Sequence, residues 1–174
     1  YLTIYHSRLW SRCKFSTSSK VDYVTNNLAE CFNNWINKHK GMMLFQLVDK
    51  IRRKILVKME KRRRIAKKLE GHRILPSVMK ELNAKSRGLD IEYERIDHMK
   101  AEVSEGGEDG KRHVVDLDMR TCTCREFQVS GKPYKHAISF ITGIRGVTIE
   151  DFVDDYYSVA KVTSAYTPVM SGLT

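Results

Sequence analysis

Cys122, Cys124 and His136 are the residues of this 174-residue chain whose types and spacing point most directly to chemistry. Two thiols two positions apart share one face of an extended backbone. Gly131 and Pro133 then turn the chain, and His136 opens the apolar run Ala137, Ile138, Phe140 and Ile141 of a helix. A thiolate pair on a strand and an imidazole on the first turn of the next helix can converge on one tetrahedral Zn²⁺. Four cysteines with no secretory leader are expected in a reducing compartment, where Cys-x-Cys reads as a metal pair before a disulfide.

Tetrahedral zinc needs four ligands, and the natural fourth position is residue 134, where the chain has Tyr134. The arrangement resembles the SWIM zinc finger, Cys-x-Cys followed by Cys-x-His, with a tyrosine where the third cysteine belongs. The strand HVVDLDMRT, the intervening Phe127 and the run GKPYKHAI into a helix share the resemblance. Two outcomes stay open. Zinc binds through Cys122, Cys124 and His136, completed by water, the Tyr134 phenolate or a nearby group such as His113. Otherwise packing alone keeps the finger's shape, and the cysteines serve as small buried hydrophobes. Outside that role, His98 and His113 read as surface or packing histidines.

A second chemical candidate is Glu30. The segment from Asn27 reads as a helix with Leu28, Phe32, Trp35 and Ile36 on one face and Asn27, Glu30, Asn34 and Asn37 on the other. A lone glutamate there is ordinarily solvated. The wording T-N-N-L-A-E-C-F-N-N-W-I, however, resembles the block of Mutator-like plant transposases that carries the last acid of an Asp-Asp-Glu triad; Trp10, Phe15, Asp22 and Tyr23 fit the same pattern. The resemblance implies an RNase H-like core in which three carboxylates hold two Mg²⁺ ions for DNA strand transfer. Residues 1–21 contain no aspartate, so Glu30 lacks its partners here and the chain alone is expected not to cut DNA. Mg²⁺ is implied only for a complete core.

The third feature is charge. Residues 50–73 carry twelve basic residues against Glu60 and Glu70, so the whole excess of +10 sits in that segment. Leu44, Val48, Ile51, Ile55 and Met59 advance by three or four, and Ile65 and Leu69 continue the stripe, so residues 41–70 read as one long helix. A charge run is usually a solvated helical face. An imbalance this large favours phosphate instead: Arg52, Arg53, Lys54, Lys58, Lys61, Arg62, Arg63, Arg64, Lys67 and Lys68 would bind a nucleic-acid backbone without reading its sequence. KRRRIAKK at 61–68 also fits a nuclear-import signal.

The remaining elements must position these groups. Pro76 ends the long helix, and SVMKELNAKSRG reads as a short one with Ser77 as N-cap and Gly88 beyond its end. Leu89, Ile91 and Tyr93 alternate with acids as a strand. Gly106, Gly107 and Gly110 loop into a second strand, 112–117, where His113 joins the Val115 and Leu117 side imperfectly. Thr148 with Asp151 three residues on reads as a helix cap, so Asp151, Asp154 and Asp155 are assigned no metal. Cys13 has no neighbour at metal spacing, and the tail AYTPVMSGLT is expected to be poorly ordered.

The expected architecture is α+β: a helical first half, then a small β-hairpin and helix finger. Residues 1–40 would be the remnant of the RNase H-like core, 41–88 the basic helical region, 89–145 the finger domain and 146–174 an acidic-aromatic helix and tail. The expected function is that of a nuclear, transposase-derived fragment binding zinc and DNA. Two alternatives are a subunit lending Glu30 to an active transposase, and a metal-free module presenting Phe127 and Tyr134 to a protein partner. No membrane is expected, since no run of about 18 apolar residues occurs, and no small-molecule substrate is expected either.

Overall fold

The computed structural model describes residues 17–20, 27–106 and 110–169. Trp10, Cys13, Phe15, Asp22, Tyr23 and the last five residues lie outside them. The fold is α+β, with helices first and a small antiparallel sheet near the cysteines. The chain forms two compact units, one of residues 1–22 and 74–158, the other of 23–73 and 159–174.

In the first unit, α3 (Pro76–Lys85) begins with Pro76 at its first helical position and Leu75 as the flanking residue. The expected cap at Ser77 is therefore displaced by two residues, because proline's fixed φ suits the first turn and its missing N–H costs nothing there. Four strands follow in order β1 (Ile91–Asp97), β2 (Lys100–Glu105), β3 (Lys111–Asp116) and β4 (Thr121–Cys122). The sheet thus exceeds the expected hairpin. In β2, Ala101 and Val103 are fully buried and alternate with Lys100, Glu102 and Ser104, a period-two pattern carried by small apolar residues.

Helices α4 (Glu126–Ser130) and α5 (Lys135–Thr142) cover the sheet. α5 is buried from His136 to Ile141, so its two sides serve two cores. Phe140 and Ile141 pack with Ala101, Val103, Val115, Leu117, Cys122 and Phe127. Ile138 packs with Ile74, Val78, Leu82 and Val153. Burial of one such side chain is worth about 1.5–3 kcal/mol, so a short helix with this much apolar contact is held by packing rather than propensity.

Two glycines make close packing possible. A Cβ on Gly143 would fall 1.8 Å from the Tyr93 hydroxyl, whose ring packs at 5.3 Å on Phe140. Gly131 ends α4 at φ 72° and a Cβ there would meet Lys20 Cδ at 2.9 Å. After α5, Thr148 and Asp151 form the expected capping box, but the turn they cap is a short 3₁₀ turn, Ile149–Phe152.

In the second unit, α1 (Asn27–Ile36) precedes the 25-residue α2 (Leu44–Lys68), and α6 (Val159–Tyr166) packs on α2. Asp49 pairs with Arg53 at 2.7 Å and Glu60 with Arg64 at 2.9 Å, both four residues apart on the helix. Lys67 and Lys68 close the last turn, where cations complement the helix dipole. The apolar stripe is buried unevenly: Ala66 is enclosed, whereas Leu44 and Phe45 remain 78% exposed. Among the described residues no helix is long and apolar enough to cross a membrane.

Candidate metal centre

Cys122 closes β4, and its partner across the sheet is Val115. Thr123 N–H donates to the Val114 carbonyl at 3.0 Å, carrying the pairing one residue further. The chain then departs from the extended pair that the sequence suggested. Cys124 sits in a turn closed by Arg125 N–H donating to the Cys122 carbonyl at 2.8 Å, with Arg125 at φ 65°. Gln128 on α4 fixes this turn from the side. Its Oε1 accepts from Cys122 N–H at 3.1 Å and its Nε2 donates to the Cys122 carbonyl at 2.9 Å, replacing a missing strand neighbour.

The first turn of α5 delivers His136 to the thiols. Cys122 Sγ lies 3.6 Å from His136 Nδ1, and both residues are buried. On the far side of the imidazole, Nε2 pairs with Glu105 Oε1, and Lys135 Nζ holds the other carboxylate oxygen at 2.5 Å. His113 joins from β3. Its ring stacks on that of His136 with centroids 4.2 Å apart, and the ligand atoms of His113, Cys122 and His136 all lie within 4.8 Å of one another.

Electrostatics follow from these contacts. The hydrogen bond from Cys122, and then that of His136, hold the Cys124 thiol down to about 5; the same contact and burial push Cys122 up. Burial lowers the His136 pKa, but hydrogen bonds to Cys124 and Glu105 outweigh it and the net shift is upward. Lys135, then His136, hold Glu105 down to about 2. Burial, then the charge of His136, lower His113.

Zinc fits this donor set. A tetrahedral ion with bonds of about 2.0–2.3 Å spaces its ligands roughly 3.3–3.8 Å apart, which brackets the Cys122–His136 separation. Two thiols and a buried imidazole are the soft and borderline donors that zinc takes, and a carboxylate behind the histidine orients its ring. Residues 113–139 match the SWIM zinc finger family. That segment is a SWIM-type domain. It opens at His113 and takes in both cysteines, Tyr134 and His136. No curated protein and no solved structure matches the chain.

The other candidates fall elsewhere. Tyr134 precedes α5 with its ring 5.5 Å below the Lys85 ammonium of α3. Glu30 is exposed on α1, and among the described residues the His113, Cys122 and His136 group is the one metal-capable cluster. On α2, Arg62 donates to the Tyr166 hydroxyl and Arg63 Nε to the Tyr166 carbonyl at 2.9 Å. Arg52 and Arg53 engage Asp49, and Arg63 and Arg64 engage Glu60. Lys54 Nζ donates to the Trp35 carbonyl at 2.8 Å, and Lys54 and Lys58 lie over its ring. Lys61, Lys67 and Lys68 have no partner among the described residues.

Sequence reasoning missed Glu105 and Gln128 and ranked His113 mainly as a packing residue. Glu105 sits before a glycine-rich loop, and Gln128 acts through the backbone, so neither has ligand spacing. His113 did leave a signal: it stands two and four residues before the buried Val115 and Leu117, and is itself half-buried.

Proposed function

We propose that this chain is a transposase-derived nucleic-acid-binding fragment of the nucleus, whose SWIM-type finger is folded by Zn²⁺ and whose basic helix holds phosphate. Cys122, Cys124 and His136 supply zinc ligands. Held by these groups, with both thiols as thiolates, zinc would tie β4 to α5 and so would contribute directly to the stability of the finger. The observation that carries the zinc half is the 3.6 Å approach of Cys122 Sγ to His136 Nδ1 inside the SWIM-matched segment.

The nucleic-acid half rests on α2. Of its eleven basic residues, Arg52, Arg53, Lys54, Lys58, Arg62, Arg63 and Arg64 have contacts within the unit, whereas Lys61, Lys67 and Lys68 have no partner among the described residues and are the ones offered to phosphate. Contacts of this kind release counterions and carry no sequence information. Resemblance to Mutator-like plant transposases in the Asn27–Ile36 helix supports a mobile-element ancestry, and with it a role of Glu30 only beside aspartates supplied from elsewhere. The protein-module alternative is weakened by Phe127, which is 1% exposed and packed in the core.

Fluorescence anisotropy with labelled duplex and single-stranded DNA across 50–200 mM salt tests the nucleic-acid half. A steep linear fall of log affinity with log salt supports it. Salt-independent binding, or none at 50 mM, refutes it.

A further inference from the structure

The SWIM pattern requires four ligands and the chain retains three of them, with Tyr134 at the remaining position. We propose that His113 is the fourth ligand, binding through Nε2, so that this finger is a Cys₂His₂ zinc site assembled from a β-strand histidine. The inference rests on the zinc reading above and adds to it the identity of the completing group.

Register places His113 where a ligand is needed. It pairs with Val103 on β2, whose side chain is fully buried, and shares the inner face of β3 with Val115 and Leu117. That face is apolar along Val103, Val115 and Leu117 and turns polar at its end, where Glu105, His113 and Cys122 gather under the first turn of α5, with Cys124 beside Cys122 and His136. A half-buried histidine on the inner face at this end meets Cys122 and the His136 ring.

The outer nitrogen of each imidazole is already occupied by oxygen. Thr123 Oγ1 accepts from Val114 N–H at 3.1 Å and lies 3.2 Å from His113 Nδ1. With the proton on Nδ1 donated to Thr123, the Nε2 lone pair of His113 is left bare for a metal. His136 has the opposite arrangement, Nε2 on Glu105 and Nδ1 toward Cys122. The two histidines therefore offer lone pairs to one point from two sides of the stacked pair. The 4.8 Å limit on their ligand atoms must contract by about 1 Å for tetrahedral bonding, a movement within side-chain rotation. Tyr134, by contrast, is engaged under Lys85.

Cobalt(II) titration of the full chain, followed by its visible ligand-field bands and near-ultraviolet thiolate charge transfer, tests this directly. The wild type should give tetrahedral bands with two thiolates. His113→Ala should lower affinity at least 10-fold and lose the four-coordinate bands. His113→Cys should restore them, with stronger charge transfer and a shift to longer wavelength from a third thiolate, which shows that the first variant did not merely misfold. Tyr134→Phe should leave the spectrum unchanged. A wild-type spectrum and affinity that survive His113→Ala, or that change in Tyr134→Phe instead, overturn the assignment of His113 while leaving zinc binding intact. A wild-type chain that takes up neither cobalt nor zinc overturns both.

Discussion

Cys122 and His136 stand fourteen residues apart in sequence and 3.6 Å apart in space, thiol sulfur to imidazole Nδ1. Nothing between them is regular for long: a turn, the short α4 and a glycine at φ 72° bring the chain back. The Gln128 amide and the buried Phe127 hold that path in place. Cys122→Ser should therefore remove more than a ligand. Metal affinity should fall beyond the roughly 10–100-fold expected for changes behind the ligands, and urea should unfold the variant at lower concentration. Isothermal titration with zinc and a urea titration followed by circular dichroism measure the two effects.

Gly143→Ala should destabilise the sheet unit without touching the metal. The added methyl would meet the Tyr93 hydroxyl at 1.8 Å and push the ring off Phe140. Overpacking of this kind costs about 1–3 kcal/mol. Chemical denaturation of the zinc-loaded variant should show the loss, and zinc stoichiometry should stay unchanged.

Glu81 gives a pH-dependent contribution. Hydrogen bonds from Lys85, then from the buried Lys132, hold its carboxyl below the ordinary 4.5. A depressed folded pKa contributes stability that is present above the unfolded value and is lost as pH falls through the folded one. Glu81→Gln should thus lower the urea midpoint at pH 7, and the gap to wild type should narrow as pH drops below 4.5. A gap that widens in acid would contradict the ion pair.

The basic helix should separate by residue. Replacing Lys61, Lys67 and Lys68 together with Gln removes charges that have no partner among the described residues and should reduce the salt slope of DNA binding by up to about 0.9 per lost phosphate contact. Replacing Arg62 and Arg63, which hold Tyr166, should change the slope less and unfolding more. Anisotropy and thermal unfolding of both variants distinguish the two roles.

Much of this was legible from residue types alone. The Cys-x-Cys spacing and the histidine entering an apolar helix pointed to the candidate metal centre, and the three-four stripe located α2 within a few residues of its ends. What escaped was whatever acts across the sheet or through the backbone. β2 hides its period-two pattern in alanine and valine between charges, so no strand is expected there from the sequence. His113 has no sequence neighbour among the ligands; only register against Val103 and the turn after β4 brings it to them. Glu105 reaches His136 from thirty-one residues away, a distance no motif encodes.

Zinc content of the purified full chain, weighed by native mass spectrometry before and after chelation, is the most direct measurement. One zinc per chain is expected for the wild type, lost on chelation together with cooperative unfolding of the finger and absent in Cys122→Ser. A metal-free wild-type chain that unfolds cooperatively, and whose unfolding is indifferent to added zinc, would show that packing alone holds Cys122 beside His136.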